Sequence, residues 1–281
     1  MKFALRLLLL LAFALSAFGQ TDLQKLVDTE HSFVRLASEQ GTRSAFLANM
    51  ADDALVFNPD KITAKPFWTA RSEGPGLLSW APNYADISSN GIMGYTTGNW
   101  EFRPKGKDDL PTAFGEFITV WLQQVDGKYK FILDIGVDHP KPEKFSTEWI
   151  TAKNDSRKAL NDLNSSAADP PTGFLKMSEE SGLASAYKYF GSSDIRMFRE
   201  DKMPIIGLKN ATSEMKRFKG NVRFSRKSTV FGSGDISYNL GTYTITDNQN
   251  VTEKGNSLQI WKLVKGRWQI VLDILKPVPA K

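Results

Sequence analysis

The chain has 281 residues, 41% hydrophobic and 24% charged, with a formal net charge of +5 and no cysteine. That length suggests two globular domains, each able to bury a core. The missing cysteine excludes a disulfide framework and a lipoprotein anchor, and the modest charge does not argue for nucleic acid.

In chain order, residues 1–19 read as a signal peptide. Lys2 and Arg6 form a basic start, Leu7 to Leu15 are apolar throughout, and Ala17-Phe18-Gly19 offers small residues before Gln20. Cleavage there makes the protein exported, periplasmic or secreted, and lowers the charge by two, to +3. The apolar run is short for a membrane span, and no other stretch of the sequence is a candidate, so no span is expected after cleavage. An uncleaved anchor is the alternative.

Thr21 with Gln24 resembles a capping box. Leu23, Leu26, Val27, Phe33, Val34 and Ala37 then form one apolar stripe of a helix, with Glu30 in its middle. A second short helix over about 42–50 ends at Asp52-Asp53. Strands follow near 54–57, 84–89 running into 93–102, 116–124 and 128–135, the last two joined by the hairpin signal Asp126-Gly127. Helices gathered before an antiparallel meander make an α+β unit. Scattered charge and His139-Pro140-Lys141-Pro142 mark a linker over residues 139–158.

The pattern then returns. DGKYKFILDIG (126–136) is answered by KGRWQIVLDIL (265–275), and GEFITVW (115–121) by GNSLQIW (255–261). GIMGYTTGNW (91–100) is matched by GDISYNLGTY (234–243), and Ser44-Ala45-Phe46 with Phe57 by Ser185-Ala186-Tyr187 with Phe198. Solenoid repeats have periods of about 20 to 50 residues, so the near-constant long offset here indicates a duplicated domain, residues 20–138 and 159–281. The second unit's helical start is read as broken by Asp169-Pro170-Pro171.

ASEQGTRSAFLANMADDALVF, LLSWAPNYADIS, GYTTGNW and VWLQQVDGKYKFILDIG resemble the SnoaL-like, domain-of-unknown-function branch of the nuclear-transport-factor-2-like superfamily. The resemblance covers nearly all of residues 21–138; over 160–278 it rests mostly on the internal match. It implies two cone-shaped units, each with N-terminal helices packed on a strongly curved antiparallel sheet and a pocket between. Members include ketosteroid isomerase, scytalone dehydratase, polyketide cyclases and non-enzymatic binding or scaffold modules, so the fold leaves function open. Proteins of this kind often dimerise through the outer sheet face. A tandem chain could do so with itself, as an intramolecular pseudo-dimer.

Strict alternation puts Tyr129, Phe131, Leu133 and Ile135 on one face of the last strand and Asp134 on the other; Asp273 behaves alike in the repeat. The richer apolar face should meet the helices, which turns Asp134 and Asp273 away from the pockets toward the domain interface. Surface exposure and catalysis are the other readings of these acids. Many relatives carry pocket-facing histidines where this chain has Leu133 and Ile135, which speaks against acid–base or metal chemistry.

Glu30 is either buried in a pair with an arginine (Arg43 is nearest) or a loop cap, or it is a pocket acid with a raised pKa. Glu30, Trp68, Trp80 and Trp121 are the candidate pocket residues. With two histidines and no cysteine, no metal site or cofactor is expected. Lys216, Arg217, Lys219, Arg223, Arg226 and Lys227 read as a solvated strand edge rather than an anion site. The sequence therefore points to an exported protein binding a small, largely apolar molecule in its first unit. The alternatives are an isomerase, dehydratase or cyclase using Glu30 as acid or base, and a ligand-free interaction module with filled cones.

Overall fold

A computed structural model describes residues 21–144, 149–152, 169–248 and 250–279. Residues 1–19, read as a signal peptide, lie outside the described residues, as does much of the segment read as linker. The first unit runs α1 (Asp22–Gln40), α2 (Thr42–Asn49), β1 (Met50–Phe57), β2 (Lys61–Thr63), α3 (Ala64–Thr69), β3 (Leu77–Ile87), β4 (Met93–Arg103), β5 (Ala113–Gln123) and β6 (Tyr129–Asp138). The segment read as linker contributes β7 (Ile150–Thr151), which pairs with β3. The second unit runs α4 (Asp169–Ser181), α5 (Leu183–Phe190), β8 (Gly191–Arg199), β9 (Ile205–Ile206), α6 (Leu208–Arg217), β10 (Asn221–Phe224), β11 (Thr229–Ser233), β12 (Ile236–Asp247), β13 (Asn250–Val264) and β14 (Arg267–Pro277).

Each unit is thus helices followed by a mainly antiparallel seven-stranded sheet, the α+β arrangement expected of two cones. Strand order is β2-β1-β6-β5-β4-β3-β7 in the first sheet and β10-β12-β13-β14-β8-β9 in the second, with β11 on β12. In both units the first long strand pairs in parallel with the last, β1 with β6 and β8 with β14.

The local chemistry explains the starts of the elements. Thr21 accepts a hydrogen bond from the Gln24 amide at 3.2 Å and opens α1, whose buried face holds Leu26, Val27, Glu30, Phe33 and Ala37. Asp169-Pro170-Pro171, read as a helix breaker, instead opens α4. A proline ring fixes φ near its helical value, and in the first turn the missing amide proton has no partner to lose.

The last strand of each unit departs from strict alternation. Phe131 pairs with Trp121 and Leu133 with Val120, so Ile132 is an extra residue in β6. Likewise Ile270 pairs with Trp261 and Leu272 with Ile260, leaving Val271 extra in β14. A bulge of this kind moves every later side chain to the opposite face. Tyr129 and Phe131 accordingly pack with the first unit's helices, while Leu133, Ile135 and Val137 belong to a different core. Ile270 packs with the second unit's helices, and Leu272 and Ile274 do not.

That other core is shared between the sheets. Tyr84, Met93, Tyr95, Ile118, Val120, Leu133, Ile135 and Val137 form one apolar cluster with Phe198, Ile236, Tyr238, Leu240, Leu258, Ile260, Leu272 and Ile274. At its edge Lys262 is buried, with its Nζ 3.2 Å from Asp86, 3.4 Å from Asp235 and donating to the Ile87 carbonyl at 2.8 Å. Asp235 in turn accepts from the Ser89 amide at 2.6 Å. A buried ammonium held this way is strongly destabilising to orphan, so it fixes how the two sheets meet.

Candidate functional site

The first unit contains a cavity of about 230 Å³ between its helices and sheet. Phe33 of α1, Phe46 of α2, Phe57 of β1, Leu78 and Trp80 of β3, Trp100 of β4 and Phe117 of β5 line it, with Asp134, Gly136 and Asp138 of β6 and Lys276 of β14. The apolar side chains come from the buried faces of several elements. Phe33, for example, meets Phe46 and Trp80 edge-on at ring centroid separations of 4.9 and 4.8 Å. A Cβ on Gly115 would lie 2.4 Å from the Trp100 ring. The missing side chain is what lets that indole lie against the strands.

Asp134 corrects the sequence reading. The bulge at Ile132 turns it into the cone, not toward the domain interface. It is part-buried because one side of it faces the cavity, and it accepts a hydrogen bond from Thr119 Oγ1 at 2.8 Å, directly across on β5. Among the described residues no cation is paired with it. Burial pushes its carboxyl up to about 6, with Thr119 opposing.

Asp273, also assigned to the domain interface, is likewise inside its own cone and fully buried. Here the acid is enclosed. Arg199 lies at 2.5 Å, Tyr187 Oη donates at 2.8 Å and Gln259 Nε2 at 3.0 Å. Burial works against the Arg199 charge, but the carboxylate beside it more than offsets that and raises the guanidinium's pKa.

Glu30 is fully buried, with no arginine beside it. Arg43, the suggested partner, donates instead to the carbonyls of Trp68 and Thr69 at 3.0 and 3.4 Å. Glu30 accepts from Trp80 Nε1 at 2.7 Å and from Thr96 Oγ1 at 2.6 Å, and Thr96 Oγ1 accepts from Trp121 Nε1 at 2.9 Å. Burial pushes its carboxyl up to about 7, against the lowering effect of those hydrogen bonds; the negative charge of Asp134 adds to the rise. Glu30 is not on the cavity wall. It sits behind Trp80, holding by its Nε1 an indole that does line the wall.

The structure therefore brings Trp80 and Asp134 to one cavity and places the other candidates around it. Trp121 is buried in the core behind. Trp68 stacks on Phe46 at 4.4 Å and lines an outer groove with Arg43, Arg71 and Glu73. The lip of the cavity was not anticipated from sequence. It carries Asp138 and Lys276, 3.9 Å apart, with Glu200 3.4 Å from the same ammonium. Glu116, elsewhere in the first unit, is bonded to Asn99; burial pushes its carboxyl up to about 8. Among the described residues there is no group of three or more metal-ligating side chains, and no helix is long and apolar enough to cross a membrane. In the basic stretch, Arg226 pairs with Glu179 at 2.8 Å, both exposed.

No family model matches the sequence, and no curated protein matches it. Solved structures of similar shape include an NTF2-like protein with a cystatin-like fold from Novosphingobium aromaticivorans (10% identity, 46% of this chain and 93% of that one, TM-score 0.36). A second, of cystatin-like fold and unknown function, comes from Nostoc punctiforme (14% identity, 40% and 89%, TM-score 0.34). A third, NTF-2-like and of unknown function, comes from Shewanella oneidensis (16% identity, 39% and 98%, TM-score 0.33).

Proposed function

We propose that this is an exported binding protein whose first unit takes up a small, largely apolar molecule, while the second unit completes an intramolecular pseudo-dimer. The supporting observation is the aromatic cavity of about 230 Å³ with the Asp134 carboxyl on its wall and the paired Asp138 at its lip. Binding sites for drug-sized molecules are about 300–1,000 Å³, so the ligand is small, on the scale of one or two rings. The export half of the reading rests on residues 1–19.

An enzyme built on Glu30 is less well supported, because that carboxyl is sealed behind Trp80 and has no path to a bound molecule. Any acid–base chemistry here falls to Asp134, the one acid of the pair that faces the cavity.

Native mass spectrometry of the protein isolated from an exported fraction tests the proposal. Wild type should carry a small-molecule adduct, and Leu78→Trp, which fills the cavity from β3, should lose it. An adduct equally abundant in both would place the ligand elsewhere. Wild type free of any adduct, and taking none from a small aromatic library, would favour the interaction module.

A further inference from the structure

The repeat supplies its own reference for the orphaned acid. Asp134 and Asp273 occupy the same place in their sheets, each across from a hydrogen-bonding residue of the preceding strand: Thr119 in one, Gln259 in the other. They also sit beside the same residue of the parallel neighbour, Val56 for Asp134 and Met197 for Asp273. Continuing that register, Phe57 answers to Phe198 and Asn58 to Arg199. Helix α2 aligns with α5 so that Phe46 answers to Tyr187.

The two partners that close over Asp273 are therefore both missing from the first unit. Arg199 is replaced by an exposed asparagine and the Tyr187 hydroxyl by a bare phenyl ring. Where the second unit has a guanidinium on its acid, the first has a cavity walled by Phe33, Phe46, Trp80 and Trp100. The nearest cation on the lip, Lys276, is engaged by Asp138 and Glu200.

We propose that the first unit's cavity takes an organic cation, a small amine or ammonium compound with an apolar body, whose charge fills the role on Asp134 that Arg199 fills on Asp273. This rests on the reading above that the cavity holds a small molecule. The chemistry fits both halves of such a ligand. An ammonium donates to a carboxylate in a charge-assisted hydrogen bond, and a cation is attracted to the faces of tryptophan and phenylalanine rings. The same geometry disfavours an anion at this point of the wall, because its carboxylate would lie against that of Asp134, which has no cation paired with it among the described residues.

Three probes of similar size separate charge from shape: phenethylammonium, neutral 2-phenylethanol and phenylacetate, titrated calorimetrically into the full chain at pH 7.5. Phenethylammonium should bind about tenfold or more tightly than 2-phenylethanol, a margin typical of one charge-assisted contact in an aromatic site, and phenylacetate should not bind. Asp134→Asn should erase the preference, bringing the ratio of the ammonium's affinity to that of 2-phenylethanol down from about tenfold to about one. A second variant adds what the second unit has: Asn58→Arg with Phe46→Tyr should abolish ammonium binding and keep the fold, checked by its melting transition. Equal uptake of the ammonium and the alcohol would overturn this proposal and leave the binding-protein reading standing. Uptake of no probe would overturn both.

Discussion

The two units place the same acid at the same point of the same bulged strand and treat it in opposite ways. In the second unit, Arg199, Tyr187 and Gln259 enclose Asp273, and the smaller cavity there, about 110 Å³, is lined by Arg199 and not by the acid. In the first, Asp134 has a single threonine donor and an open, aromatic space before it. An acid in a repeated strand is thus not in itself a sign of function. What distinguishes the units is whether the fold supplies the countercharge. The enclosed acid belongs to the stability of its unit, and the unenclosed one is available to something that arrives from outside.

The sharpest way to break this comparison is to remove the countercharge. Arg199→Met should destabilise the protein by about 3–5 kcal/mol in denaturant titration, because it leaves Asp273 buried and uncompensated. Asp134→Asn should change stability by less than about 1 kcal/mol, since it removes a charge that has no partner to lose. If Arg199→Met proves as mild as Asp134→Asn, the second unit's acid is not held by its ion pair and the contrast between the units fails.

A smaller effect is expected from pH. Glu30 and Asp134 have folded-state pKa values pushed up to about 7 and about 6, above the ordinary carboxylate range. Between the unfolded and folded values the native state binds more protons, so the contribution of these two acids to stability falls as pH rises from about 4.5 to 7 and is gone above that. Urea unfolding at pH 5 and pH 8 should show the wild type losing stability across that span. A Glu30→Gln, Asp134→Asn double variant should lose less, by roughly 2 kcal/mol, with Asp134 counted only in part because water in the cavity screens it. Glu116, raised to about 8, titrates in both proteins and keeps the variant's profile from becoming flat. A wild type that gains stability toward pH 8 would mean that these acids are compensated by cations.

Much of the fold was legible in the sequence. The capping signal at Thr21, the apolar stripe of α1, the Asp126-Gly127 hairpin and the long-period repeat rest on local chemistry or self-comparison, and the structure bears them out. The faces of the last strands were not legible, because Ile132 and Val271 look like ordinary strand residues. A bulge is decided by how two strands pair, not by the residue that ends up extra. The consequence was large, since one inserted residue in each unit moved an acid from the supposed interface into a cone. Glu30's surroundings were also out of reach, as Trp80 and Thr96 lie 50 and 66 residues away. The proline pair at the start of α4 misled for a different reason, a residue that breaks a helix inside it being acceptable at its first turn.

The smallest effect concerns Glu30, and it bears on whether the first unit hides a countercharge of its own. At pH 5 the carboxyl is largely protonated, given a pKa pushed up to about 7. Glutamine then closely reproduces what is already there. Its carbonyl oxygen can accept from Trp80 Nε1, as Glu30 Oε1 does at 2.7 Å, and its amide can donate to Thr96 Oγ1, which keeps a lone pair for Trp121 Nε1. The residual cost is the Thr96 hydroxyl proton, which must turn to another acceptor. Glu30→Gln should therefore shift stability at pH 5 by less than about 1 kcal/mol, the scale of one neutral hydrogen bond. Trp80 emission should be unchanged as well, because the indole keeps its anchor. A loss of several kcal/mol would mean that a buried cation depends on Glu30, as Arg199 depends on Asp273. The first unit would then carry its countercharge on the helix side, and the case for one arriving with a ligand would weaken.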